Sequence, residues 1–140
     1  MKPLARTLAG FMERALSIDD SYDAIVPVPL HWRKHWERGF NQASLLAGHL
    51  SKRRGVPLVH ALRRKRSTAV QASLAVAGRR RNVAGAFEIR PKARIQGKRI
   101  LLIDDVMTTG ATAGACAVAL KRGGAKSVSL LTLARVDRQF

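Results

Sequence analysis

At residues 100–103 the chain reads Ile-Leu-Leu-Ile, and it continues without a break as Asp104-Asp105-Val106-Met107-Thr108-Thr109-Gly110-Ala111-Thr112. Four consecutive aliphatic residues leave no polar side for water, so they predict a strand buried on both faces, as in a parallel sheet. A strand of that kind needs covering on both sides, and the rest of the chain has to supply it. Two carboxylates stand at its carboxyl end. The threonines and Gly110 then make a turn ahead of a helix predicted over residues 113–122, whose apolar side carries Ala113, Cys116, Ala117 and Leu120. Backbone N–H groups at a helix start are unpaired and carry the positive end of the helix dipole, so an anion there gains hydrogen bonds and field together. Gly110 lets the backbone come close. Asp104 and Asp105 would repel a phosphate beside them, which leaves them to face neutral hydroxyls or a cation further out. A sugar phosphate meets both demands, with its anion at one end and a vicinal diol at the other. The chain has neither a Gly-rich loop ending in Gly-Lys-Ser/Thr nor a Gly-x-Gly-x-x-Gly after a strand, so no competing phosphate motif is present.

Around this stretch, helices and strands alternate. Residues 4–17 place Leu4, Leu8, Phe11, Met12 and Leu16 near helical spacing, an amphipathic helix facing a core. Ala24-Ile25-Val26 is a short strand closed by Pro27 and Pro29, whose rings cannot continue a central ladder. A helix follows over 41–54, capped by Asn41, with Ala43, Leu46, Ala47 and Leu50 on one side and Gly55 at its end. Residues 56–62, 85–90 and 127–133 are further strand candidates, with a turn-rich link over 91–97. The expected architecture is an α/β domain, a mainly parallel sheet flanked by helices, spanning residues 1–140 as one domain. In open parallel sheets ligands bind beyond the carboxyl ends of the strands. The loop after Pro27 and the loop over residues 104–112 are therefore expected to face each other across one crevice.

The charge is the loudest compositional fact. The net charge is +17, and residues 52–99 hold fifteen Lys or Arg against Glu88 alone, 15 − 1 = +14. Basic clusters of this density attract polyanions; the alternatives are a solvated surface, or arginines serving a pyrophosphate. With 46% hydrophobic residues and no apolar run near the roughly 20 residues that span a bilayer, no membrane partner is expected. The start of the chain is no convincing signal peptide, and the lone Cys116 cannot form an internal disulfide and reads as a small core residue. A cytoplasmic location is the expectation.

The hydrophobic run, Asp104-Asp105, Met107 and Thr108-Thr109-Gly110-Ala111-Thr112 resemble the signature by which type I phosphoribosyltransferases bind phosphoribosyl pyrophosphate (PRPP). Upstream, Pro27-Val28-Pro29-Leu30-His31 and Arg38-Gly39-Phe40-Asn41-Gln42 resemble the ComF family, the competence-associated branch of these proteins. Gln71 with Leu74 and Arg80, then Asn82 before Gly85-Ala86-Phe87, continue the likeness, which runs from Tyr22 to Arg135. The resemblance implies a type I phosphoribosyltransferase-like fold. It implies that Asp104 and Asp105 hold the ribose hydroxyls as the catalytic pair, and that Thr108, Thr109, Gly110, Ala111 and Thr112 cradle the 5′-phosphate. Magnesium is the implied cofactor, held through the ligand rather than by a direct protein site, with Asp104 or Asp105 as candidate contacts, and the implied reaction is phosphoribosyl transfer, a pentosyl (glycosyl) transfer.

Arg33, Arg38 and Arg80 are candidates for neutralising the departing pyrophosphate. Residues 63–84 read as a basic, small-residue-rich flap of the kind that closes over such sites, or as a basic linker, with Gln71 and Arg80 as candidate closing contacts. His31 and His35, four apart, make a poor metal pair beside Trp32, Trp36 and basic residues, and an anion-facing loop suits them better. The two tryptophans either cover the core or stack on bases. ComF proteins usually carry an amino-terminal zinc module with paired Cys-x-x-Cys motifs; this chain has one cysteine, so no zinc is expected in it. No acceptor pocket is legible. The rival expectation, which the ComF resemblance also implies, is a non-catalytic protein whose basic face holds single-stranded DNA during transformation. A second copy of the chain, in a homodimer, is the remaining candidate partner.

Overall fold

A computed structural model describes residues 2–16, 21–29, 42–65, 85–107 and 110–135. In chain order the elements are helix α1 (Lys2–Arg14), strand β1 (Ala24–Pro27), helix α2 (Gln42–Arg54), strands β2 (Leu62–Arg64), β3 (Phe87–Ile89) and β4 (Arg99–Met107), helix α3 (Ala111–Arg122) and strand β5 (Ser127–Arg135). The stretch at 100–103 does what its composition demands. β4 is the middle strand of a three-stranded sheet ordered β1-β4-β5, and both pairings are parallel. Ile100, Leu101, Leu102 and Ile103 are all buried.

Successive strand residues point to opposite faces, so β4 feeds two cores. Ile100 and Leu102, with Ala24 and Val26 of β1, pack under α3 and the β2–β3 hairpin, against Ala115, Cys116, Leu120, Leu62 and Phe87. Leu101 and Ile103, with Ile25, pack under α1 and α2, against Ala9, Met12, Leu46, Ala47 and Leu50. Each fully buried aliphatic side chain contributes about 1.5–3 kcal/mol, which makes β4 the main hydrophobic anchor of both layers. At the amino ends of the strands, Asp23 grips Arg99: its Oδ2 accepts from the Arg99 backbone N–H at 2.8 Å and from Nε at 3.1 Å, and its Oδ1 accepts from Nη2 at 3.1 Å.

The four residues expected to face inward from the second helix, Ala43, Leu46, Ala47 and Leu50, are the buried residues of α2, and Gly55 closes it at φ 66°. Elsewhere the pattern misled. Phe11 does not join Leu8 and Met12 against the core but is 58% exposed; three residues past Leu8 it is turned about 60° off that stripe, away from the side on which Ala9 is buried. Residues 56–62 do not form a strand. Pro57 has no N–H to give a ladder, so the segment touches β1 through one bridge, Ile25 to Leu58, flanked by Ile25 N–H to Pro57 O at 2.8 Å and Val59 N–H to Ile25 O at 2.9 Å. The regular strand begins only at Leu62 and pairs antiparallel with β3, Leu62 opposite Ile89 and Arg64 opposite Phe87. Arg63 and Arg64 thus belong to a strand, not to the start of a flap; residues 66–84 lie outside the described residues. No described helix is long and apolar enough to cross a membrane.

Candidate functional site

β4 does not stop at its aliphatic run. It continues through both acids to Met107, with Asp104 in register with Thr132 of β5 and Met107 with Arg135. Asp104 and Asp105 therefore sit on the last turn of the pleat rather than in a loop beyond it, and both are half-buried. Asp104 Oδ1 accepts the Asp105 backbone N–H at 2.9 Å. By strand alternation Asp104 leaves the sheet on the side of Ile100 and Leu102, facing α3, and Asp105 on the side of Leu101 and Ile103. The two carboxylates flank the strand end from opposite faces instead of standing side by side.

Beyond the strand, Gly110 caps α3 in the left-handed region at φ 78°, ψ −1°, where a residue with a Cβ is strained by roughly 1–2 kcal/mol. The helix starts at Ala111, two residues earlier than its apolar spacing suggests, so Ala111 and Thr112 form its first turn. Its first backbone bond runs from Gly114 N–H to Gly110 O at 2.8 Å, and the amides of Thr112 and Ala113 precede it. Gly110 brings no side-chain cap of its own and no acidic residue lies in the helix's first turn, which leaves the positive end of the dipole without a carboxylate of the helix's own. Thr108 and Thr109 lie outside the described residues.

The carboxyl ends of β1 and β4, expected to face one crevice, lie next to each other. Val28 N–H donates to Ile103 O at 2.8 Å, which lays the Pro27-Val28-Pro29 turn against the residue preceding Asp104. Arg33, Arg38, Gln71 and Arg80 lie outside the described residues, as do His31, Trp32, His35 and Trp36.

One residue on this side of the sheet was missed by sequence reasoning. Arg64, at the carboxyl end of β2, places its guanidinium 4.6 Å over the Phe87 ring. Its Nε is buried and has no hydrogen-bond partner among the described residues, and burial lowers its pKa from the ordinary arginine value. Arg64 and Asp104 act on the same buried thiol: burial pushes Cys116 up to about 12, the Arg64 charge pulls it down and the Asp104 charge pushes it up. The only sequence signal was a period-2 alternation, Leu62 buried, Arg63 exposed, Arg64 half-buried, hidden inside the run Arg63-Arg64-Lys65-Arg66.

Among the described residues, the basic positions over 52–99 do not all serve one surface. Arg53 pairs with Glu13, Arg63 with Glu88 at the hairpin, and Arg99 with Asp23 at the amino end of β4, five residues and about 16 Å of strand from Asp104.

Comparison with known proteins adds three findings. The profile of the phosphoribosyl transferase domain family matches residues 38–139. DNA utilization protein YhgH of Escherichia coli O157:H7 is 41% identical over 119 residues, which cover 81% of this chain and 49% of that protein. Competence protein F of Haemophilus influenzae is 36% identical over 115 residues, covering 81% of this chain and 50% of that protein. The chain thus spans about half the length of the curated relatives it matches. Among solved structures, an adenine phosphoribosyltransferase superposes with a TM-score of 0.60 at 19% identity, over 96% of this chain and 68% of the other, a likeness of fold.

Proposed function

The chain belongs to the phosphoribosyl transferase domain family, in its ComF branch, and from that membership we propose that it binds PRPP or a related ribose 5-phosphate at the carboxyl ends of β1 and β4. The chief support is the placement of Gly110: a left-handed glycine opens a helix start shortly after the strand that carries two carboxylates near its carboxyl end. Phosphate at the α3 start would take backbone N–H groups and dipole together, with Thr108, Thr109, Gly110, Ala111 and Thr112 around it. The ribose would then lie over the end of β4, with Asp104 and Asp105 reaching its hydroxyls from either side.

We further propose phosphoribosyl transfer to an acceptor. The bond from the anomeric carbon to pyrophosphate breaks with both electrons leaving on pyrophosphate, a bond forms from the acceptor's lone pair to that carbon, and the acceptor's proton passes to solvent. Asp104 and Asp105 favour the positive charge that develops on the sugar. Arg33, Arg38 and Arg80 are the proposed counter-charges for pyrophosphate, and Gln71 a closing contact. Magnesium binds through hard oxygens with few protein contacts, which a single carboxylate at this strand end can supply; when bound it would neutralise pyrophosphate oxygens, with Asp104 or Asp105 as its protein contact.

Calorimetric titration of PRPP, with and without magnesium, into the wild-type chain and into Asp104→Asn/Asp105→Asn tests this. Magnesium-dependent saturable binding that disappears in the double variant, with its circular dichroism unchanged, is expected. Equal binding by the variant, or none by the folded wild type, overturns the assignment.

A second reading, binding of single-stranded DNA without catalysis, draws on the net charge of +17 and on the names of the relatives, a DNA utilization protein and a competence protein. It requires an affinity that falls steeply with salt.

A further inference from the structure

α1 and α2 lie side by side on the sheet face opposite α3, and a groove runs along their outer side. Its main cavity, about 760 Å³, is lined by Arg6, Thr7, Gly10, Phe11, Arg14, His49 and Arg53. An adjoining cavity of about 340 Å³ adds Lys52 and shares Arg6, His49 and Arg53. Phe11, expected in the core, stands 58% exposed in this groove, with the Arg14 guanidinium 5.4 Å from its ring centroid. Across the groove Arg53 is drawn over α1 where Gly10 has no side chain, its guanidinium 3.7 Å from the position a Cβ would take, and Glu13 holds it at 2.5 Å.

We infer that this groove binds single-stranded nucleic acid, with Phe11 as a stacking platform for a base and Arg6, Arg14, Lys52 and Arg53 as contacts for the backbone phosphates. Arg6, Gly10 and Arg14 follow one another at four-residue spacing along one side of α1, so the two arginines are about 12 Å apart along the axis. Charge spread over that length outreaches a single phosphate and matches a chain of them. An aromatic ring with an open face beside a guanidinium is the arrangement on which bases stack in sequence-tolerant strand binders. An acidic peptide would satisfy the arginines but brings a flat ring to Phe11 only where it carries an aromatic residue, whereas every nucleotide brings one. The inference rests on the second reading above and locates its surface away from the proposed ribose-phosphate site, with the whole sheet between the groove and the start of α3.

The test is fluorescence anisotropy of a labelled twelve-nucleotide oligo(dT) titrated with the 140-residue chain over a salt series. Phe11→Ala should weaken binding roughly tenfold with little change in salt slope, and Phe11→Trp should retain it. Arg6→Gln/Arg14→Gln should reduce the slope of log affinity against log salt by about 1.4, two single-strand contacts at about 0.7 each. All these variants should bind PRPP as the wild type does, and Asp104→Asn/Asp105→Asn should bind the oligonucleotide unchanged. A wild type that does not bind the oligonucleotide removes the DNA reading and the groove with it. Wild-type binding that neither the Phe11 nor the arginine variants alter overturns the groove alone. Phe11→Trp binding as weakly as Phe11→Ala, polyphosphate captured as tightly as the oligonucleotide, or a Phe11-dependent dimer in sedimentation velocity without DNA overturns it as well.

Discussion

Asp23 carries the clearest pH signature in the molecule. Its hydrogen bonds from the Arg99 side chain and backbone, with the Arg99 charge, lower its pKa from the usual value near 4 to about 2. The unfolded chain therefore binds a proton before the folded one does, and the contribution of this contact is complete above about pH 4 and fades as pH falls towards 2. Urea midpoints of the wild type and Asp23→Asn should differ at pH 6, and the difference should shrink steadily as pH falls from 4 towards 2; a constant difference would show that the carboxylate's charge is not what matters. Among the site residues, Asp104, Asp105 and Gly110 were legible because their order along the chain is itself the signal: acids where an apolar run ends, glycine where a helix must begin. Arg64 was not legible, because its burial depends on pairing with Phe87 from across a hairpin, and single-sequence patterns carry no register.

At the scale of elements, the stretches that announced themselves were those whose partners did not matter. α2 buries Ala43, Leu46, Ala47 and Leu50 whatever it packs on, since that spacing makes one stripe. β4 has no side to expose. The segment at 56–62 looked like a strand by composition and was denied one by the missing N–H of Pro57, and α1 kept its helix while turning Phe11 outward. The junction between β4 and α3 is where element geometry meets function. Replacing Gly110 by Val asks a β-branched residue to hold φ 78° and should cost about 1–2 kcal/mol of stability, read as a lower urea midpoint, together with a larger loss of PRPP affinity as the helix start swings away. A Gly110→Val variant with wild-type affinity would mean that the phosphate does not sit at the α3 start.

For the molecule as a whole, a ligand that bridges β1, β4 and α3 ties both layers of the core to one small anion. PRPP with magnesium at a hundred times its dissociation constant should stabilise the fold by about 2.7 kcal/mol, a rise in melting temperature of roughly 5–10 °C for a chain of this size, and ribose 5-phosphate alone should give less. A melting temperature indifferent to PRPP would separate the folded core from the proposed site. The parallel pairing of β1 with β4 joins Ala24 to Ile100, and that separation matters before any ligand arrives. During synthesis, at roughly 5–20 residues per second, β1 emerges about 4–15 s before the strand it must pair with. Through that interval Ala24, Ile25 and Val26 have no β4 to bury them, while β4, α3 and β5 can assemble as soon as they appear. The sheet can begin to form only once β4 has emerged, and until then the apolar β1 is the segment exposed to wrong pairing.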